Sequence, residues 1–186
     1  MTTYARTILL YLALPFLSIG CAGARTESRP ASGPRLTRAD MKYQAVYVEP
    51  FVVAPAGVKE KEPARHVATA QSTCLDVLNR SGLFESVTLG TPEAQKAGLL
   101  VRAELSALRI VGGGTRFWLG AMAGKSDMRF HVTLRDAHSG ALVAISEVAE
   151  DTNPWGGAWT FGATDRSLPE EVGTRLATFV LFGARK

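Results

Sequence analysis

The sequence predicts an α+β domain of two layers, a mixed β-sheet of about five strands with two helices packed on one face, in the order β-α-β-β-β-β-α. Three observations carry this. Met128–Arg135 alternates apolar and polar residues, and the turn sequence Asp-Ala-His-Ser-Gly leads from it into a return strand, Ala141–Asp151. Ala64–Arg80 and the stretch after Ser167 space their apolar residues as one stripe of a helix. The composition, 46% hydrophobic and 20% charged over 186 residues, is that of an ordinary globular chain and suggests one domain plus accessories.

The elements follow in order. Residues 1–20 read as a signal peptide: Arg6, then an apolar run from Ile8 to Ile19 that is too short for a comfortable membrane span, then small residues before Cys21. Residues 21–40 read as a flexible tether, because Arg, Ser, Pro, Gly and Ala dominate and cannot bury enough surface to offset their ordering entropy. Such a tether reaches roughly 20–25 Å. Residues 41–186 form the single α+β domain. Its first strand spans Tyr43–Val53, with Pro50 marking an edge position or a bulge. The helix Ala64–Arg80 has its stripe at Val67, Ala70, Cys74, Leu75 and Leu78, and Gly82 ends it.

The segment Phe84–Gly90 is a short second strand, and Leu99–Val111 is a third. In the third, Val101, Ala103, Leu105 and Ala107 alternate with Arg102, Glu104 and Ser106. A glycine-rich stretch leads to the fourth strand, whose Met128, Phe130, Val132 and Leu134 lie on one face and Arg129, His131, Thr133 and Arg135 on the other. The turn ending at Gly140 returns the chain into the fifth strand. In the last helix Ser167 is the expected cap, Pro169 and Glu170 fill the first turn, and Val172, Leu176, Phe179 and Val180 form the stripe. The alternation leaves the other face of the sheet to solvent or a partner.

Several chemistries are excluded by pattern. Gly120 to Ser126 looks like a phosphate-binding loop, but only three residues separate Gly120 from Gly124, and an alternating strand follows where a helix N-terminus is required. Nucleotide is therefore not expected. His66, His131 and His138 have no partner at metal-ligand spacing, and the two cysteines, Cys21 and Cys74, form no zinc pattern. No metal and no other cofactor is expected. The formal charge of +4 falls by one when Arg6 leaves with the signal peptide, which is too mild to argue for nucleic acid. Asp136 and His138 are the one pair resembling a small hydrolytic or ligand site, but no nucleophile elbow accompanies them. Asp136 and Ser139 are better explained as turn formers. The chain is read as non-enzymatic.

Leu-Ser-Ile-Gly followed by Cys21 resembles the lipobox of bacterial lipoproteins. The resemblance implies cleavage before Cys21, diacylglycerol on its sulfur and a fatty acyl group such as palmitate on the new amino terminus, a stable anchor. Ala22 in place of Asp resembles outer-membrane sorting, with the domain facing the periplasm. Arg116, Phe117, Trp118, Trp155 and Trp159 lie in two loops that mix glycine with aromatic residues, and are a candidate contact surface for an envelope protein. The plain alternative is that the tryptophans cover the core.

Arg116, Gly120, Gly124 and Ser126 before a strand, and Leu134–Gly140 as a Leu-x-Asp-x-x-Ser-Gly hairpin, resemble the bacterial lipoprotein family described as domain of unknown function 4410. The likeness runs from Tyr43 to Val180. More distantly the chain is similar to the curli-secretion lipoproteins and to the N-terminal domain of the Tol-system propeller protein. The resemblance implies an assembly or binding module, and the second expectation is a subunit of an oligomeric secretion or pore-associated assembly.

Overall fold

A computed structural model describes residues 36–54, 58, 62–93, 96–111, 115, 118–119, 122, 124–152 and 163–185. Cys21, Arg116, Phe117, Trp155 and Trp159 lie outside them, as do residues 1–35, where the signal peptide and most of the tether are expected. The compact body begins at Leu36.

The strands are β1 (Ala45–Val48), β2 (Val52–Val53), β3 (Ser86–Leu89), β4 (Leu99–Arg109), β5 (Asp127–Asp136) and β6 (Leu142–Asp151), and the helices are α1 (Pro63–Ser81) and α2 (Ala163–Gly183). The sheet order is β3-β1-β4-β5-β6, with β2 beside β4. The β1 pairings with β3 and β4 are parallel, while β4-β5-β6 is antiparallel. This is the expected mixed sheet in a two-layer α+β fold, with one strand more than expected.

The extra strand comes from the predicted Tyr43–Val53, which is two strands. Val48 sits opposite Val101, but Val52 sits opposite Glu104, so β1-β2 carries one residue more than β4 over that span. The bulge is where Pro50 placed it. The freed Phe51 N–H donates to Gln71 Oε1 on α1 at 2.7 Å, which satisfies a backbone donor that the ladder no longer takes.

A second irregularity corrects the expected alternation of β4. Leu105 faces Phe130 and Ala107 faces Arg129, so Ser106 is an extra residue, and its Oγ donates to the Arg129 carbonyl at 3.3 Å. Beyond that point the faces exchange: Leu108 is buried, and the expected Ala107 is not. A one-residue slip moves every later side chain to the opposite face.

The core is one cluster between the sheet and the helices. Val46, Val48, Leu99, Val101, Ala103 and Leu105 meet Phe130, Val132 and Leu134 on the sheet side. Val67, Ala70, Cys74 and Leu78 of α1 and Leu168, Val172, Leu176, Ala177 and Val180 of α2 cover them. The two helices run in the same direction and cross closely. A Cβ on Gly173 would lie 2.5 Å from the Ala70 carbonyl oxygen and 2.8 Å from Thr73 Cβ, so only glycine allows this approach.

Helix α1 ends as expected, with Gly82 at φ 63. Helix α2 does not begin as expected. It starts at Ala163, Pro169 is inside it, and Ser167 donates its hydroxyl to Glu171 Oε1 at 2.7 Å instead of capping. Proline keeps a helical φ and gives up one rung of the ladder, so its position marks the first buried turn and not the helix start. Among the described residues no helix is long and apolar enough to cross a membrane.

Candidate contact surface at the loop end

The topology gives the sheet two unlike ends. At one end lie the 3-10 turn Arg38–Asp40, the C-terminus of α1, the start of β4 and the β5–β6 hairpin. Arg38 Nε donates to the Gly82 carbonyl at 2.7 Å, and Met41 bridges to Arg185. The chain therefore enters and leaves the body at this end. At the other end β4 runs out, β5 begins, β6 runs out and both helices start. β4 is 11 residues long, so the two ends are about 35 Å apart. The segments carrying the sequence-predicted Arg116–Trp118 and Trp155–Trp159 both connect at this second, loop end.

Their stems are tied by two buried hydroxyls. Ser126 is wholly buried and Thr152 nearly so. The Val111 N–H donates to Ser126 Oγ at 2.8 Å, and the Ser126 N–H donates to Thr152 Oγ1 at 3.1 Å. The Thr152 N–H donates to the Ser126 carbonyl at 2.9 Å. The end of β4, the start of β5 and the end of β6 are thus joined at one point. Ser126 belongs to the glycine-loop pattern, and its hydroxyl is committed to this backbone. Gly124, at φ 85, lets the chain turn into β5 against the Arg109 guanidinium, which an added Cβ would approach to 3.1 Å. As the sequence indicates, β5 and not a helix follows Lys125 and Ser126.

Of the five predicted surface residues, Trp118 is described, and it is 83% exposed. Two residues the sequence reading missed stand with it: Leu119 is 54% exposed and Met122 is 90% exposed. Large apolar side chains inside a glycine stretch with no helical or strand period were the available signal. Thr152 was also missed, because one threonine after a strand carries no pattern of its own.

Beside this end, between β5, β6 and α2, is a cavity of about 340 Å³ lined by three cations, Lys125, Arg129 and Arg175, and three carboxylates, Asp127, Glu150 and Asp151. Lys125 pairs with Asp151 at 2.6 Å, Arg129 with Glu147 at 3.3 Å, and Arg175 with Glu150. The charges compensate one another, so the cavity presents no net attraction for an anion or a cation. Among the described residues no group of three His, Cys, Asp or Glu could hold a metal ion.

The remaining candidates resolve structurally. The Asp136 carboxylate accepts from the Ser139 N–H at 2.9 Å, the Ser139 hydroxyl at 2.9 Å and the His138 N–H at 3.1 Å. These donors, Ser139 foremost, hold it below its usual 3.8. A carboxylate already saturated by its own turn is a weak base, and it lies at the end away from the loops. His131 is on the outer face, 3.9 Å from Glu147. Cys74 is wholly buried against the core, which pushes its thiol from 9.0 to about 12.

The family model described as "Domain of unknown function (DUF4410)" matches residues 40–152. Comparison with the curated proteins returns no match. Among solved structures, a Xanthomonas campestris protein of family DUF330 is similar with a TM-score of 0.53 at 10% identity, over 82% of this chain and 89% of that one. The PelC dodecamer from Paraburkholderia phytofirmans gives 0.48 at 16% identity, over 83% and 96%. A minor lipoprotein from Acinetobacter baumannii gives 0.40 at 14% identity, over 77% and 92%. At these identities the likeness concerns the fold.

Proposed function

We propose, for a chain that belongs to the DUF4410 family, a non-enzymatic role as a lipid-anchored protein of the bacterial cell envelope that holds an envelope partner at its loop end. The observation that carries this reading is the exposure of Trp118, Leu119 and Met122 together on one connection. Isolated exposed apolar residues are ordinary, but an aromatic, a leucine and a methionine within five positions suit an interface core. Their stem is rigidly tied through Ser126 and Thr152. The folded body begins at Leu36, at the end opposite these residues. Outer-membrane sorting with the domain in the periplasm fits the Cys21–Ala22 sequence.

Two measurements test the reading separately. Labelling with an alkyne palmitate should mark the wild-type chain and not Cys21→Ser; equal labelling of both would remove the anchor. Crosslinked envelopes should yield specific partners that Trp118→Ala with Trp155→Ala loses. Retention of every partner by that double variant would remove the contact surface.

A further inference from the structure

The corner of the sheet where β6 begins is apolar on both layers and basic at its rim. In β6 the register steps from Ala144 opposite Leu134 to Leu142 opposite Arg135, so Val143 is an extra residue. Leu142 and Ile145, three positions apart, therefore share the outer face with Arg135 and Thr133, where a regular strand would put them on opposite faces. Leu142 is 56% exposed and Ile145 is 67% exposed. On the helix layer Phe182 is 58% exposed, and the next residue of α2, Gly183, packs on Leu134 and Ala144. Three large apolar side chains thus stand in solvent around one stretch of strand edge, at the end of the body away from Trp118.

Three cations surround them. Arg135 lies directly across from Leu142, and its Nη1 donates to the Gly140 carbonyl at 2.9 Å. The Arg185 guanidinium sits 4.4 Å from the centroid of the Phe182 ring. Lys42 Nζ lies 5.0 Å from the centroid of the Tyr43 ring, and the Lys42 N–H donates to the Ala184 carbonyl beside Arg185. All three cations are exposed, and among the described residues none is ion-paired with a carboxylate. Elsewhere the cations are matched: Arg102, Lys125, Arg129 and Arg175 each pair with a carboxylate. Asp40 and Asp136, the acidic residues of the adjoining turns, accept from donors of those same turns. Glu85 precedes β3, at the far edge of the sheet. The carboxylates of β6, Glu147, Glu150 and Asp151, all lie in its second half, toward the loop end.

We propose that this corner rests on an anionic phospholipid surface, with Leu142, Ile145 and Phe182 entering the headgroup layer and Lys42, Arg135 and Arg185 meeting phosphate oxygens. Cationic heads without carboxylate partners, set beside exposed apolar side chains, are the combination that an anionic bilayer favours. The apolar groups project from two layers around a strand edge, which makes a wedge and not the flat packed centre of a protein interface. Arg185 holds its charged head over the Phe182 ring, so head and ring can sit together at the boundary between headgroups and acyl chains. The folded body begins at this end, at Leu36. Fifteen residues separate Leu36 from Cys21, at most about 54 Å of extended chain, so a bilayer that holds Cys21 is one this corner can reach. That last step rests on the anchor reading, and the charge and exposure do not. The loop end plays no part.

The test uses the full chain carrying Cys21→Ser and Cys74→Ala, so that an introduced cysteine is the sole thiol and no acyl chain holds the body. A nitrobenzoxadiazole dye is placed at Leu142→Cys, at Ser72→Cys on α1 or at Trp118→Cys on the loop end. On phosphatidylethanolamine vesicles containing phosphatidylglycerol, the dye at Leu142→Cys should brighten and be quenched by spin-labelled lipid. The dye at the other two sites should not. Each cation near an anionic surface strengthens binding about fivefold, so Arg135→Gln with Arg185→Gln should raise the lipid concentration for half the signal about 25-fold. Phe182→Ser should raise it about tenfold. The substituted corner positions are exposed, and circular dichroism checks that the variants fold. Omitting phosphatidylglycerol should act like removing the cations. No quenching at Leu142→Cys, equal quenching at all three sites, or a signal unaffected by the charge variants would each overturn the proposal. So would retention of the chain on immobilised polyglutamate without quenching on vesicles, which assigns the corner to an acidic protein. None of these outcomes depends on acylation of Cys21 or on a partner at the loop end, so this proposal and the readings above fail separately.

Discussion

Ser126→Ala removes one oxygen atom and leaves the shape of the loop stem almost intact. What it orphans is the Val111 N–H, which donates to Ser126 Oγ at 2.8 Å. Val111 is only 6% exposed and Ser126 is wholly buried, so water does not replace the lost acceptor. A buried donor left without a partner costs about 1–3 kcal/mol, more than the net worth of an average hydrogen bond. For a domain of this size each kcal/mol lowers Tm by about 2–4 °C, so the expected loss is about 2–12 °C. Urea denaturation of the full chain in detergent measures it, with hydrogen exchange of the Val111 amide as a local readout that should accelerate. Thr152→Val keeps the branched shape and removes the acceptor of the Ser126 N–H, so it should fall in the same range. The double variant should be less than additive, since both changes open one cluster. Ser72→Ala, at an exposed helical position whose hydroxyl donates to the Thr69 carbonyl, is the control and should stay within about 0.5 kcal/mol. If Ser126→Ala behaves like that control, the hydroxyl tie does not hold the loop end together.

Three further expectations can be checked on the same material. Gly173→Ala gains about 1 kcal/mol of helix propensity but forces a methyl to 2.5 Å from the Ala70 carbonyl. Overpacking of about 1–3 kcal/mol outweighs that gain, so Tm should fall, and a stabilised variant would contradict the close helix crossing. Cys74 should resist thiol reagents at pH 8 in a Cys21→Ser background and react fully in denaturant. Its folded pKa of about 12 lies above 9.0, so the protonated thiol stabilises the fold fully below pH 9, and that contribution is lost as pH rises toward 12. Fast labelling of native protein would place the thiol at the surface. Asp136→Asn should lower Tm at neutral pH, with the difference from wild type shrinking as pH falls through the depressed pKa of Asp136, because a low folded pKa stabilises only above it. A pH-independent difference would mean that the charge is irrelevant to the turn.

Local patterns were legible in the sequence and long-range ones were not. The alternation from Met128 to Arg135, the Asp136–Gly140 turn and the α1 stripe each depend on neighbours within a few residues, and each stands where the sequence placed it. Pro50 marked the break of the first strand locally, but the group that takes the freed Phe51 N–H, Gln71, lies twenty residues on. The face exchange in β4 depends on the Ser106 bulge against Arg129. Neither leaves a periodic trace. The candidate site was half readable. Trp118 stood out by residue type, and Ser126 by its place in a pattern. Thr152 became visible only when the fold set it beside Ser126, 26 residues away.

The bridge between Met41 and Arg185 has a practical consequence. The first and last parts of the body meet side by side, with the Lys42 N–H donating to the Ala184 carbonyl at 2.7 Å. A short linker could therefore join them, and new termini could be opened in the exposed His138–Gly140 turn without cutting a buried strand. A reporter fused after Arg185 would sit beside Met41, at the end of the body away from Trp118, Leu119 and Met122, and leave them unobstructed. A reporter inserted in the glycine stretch would cover them.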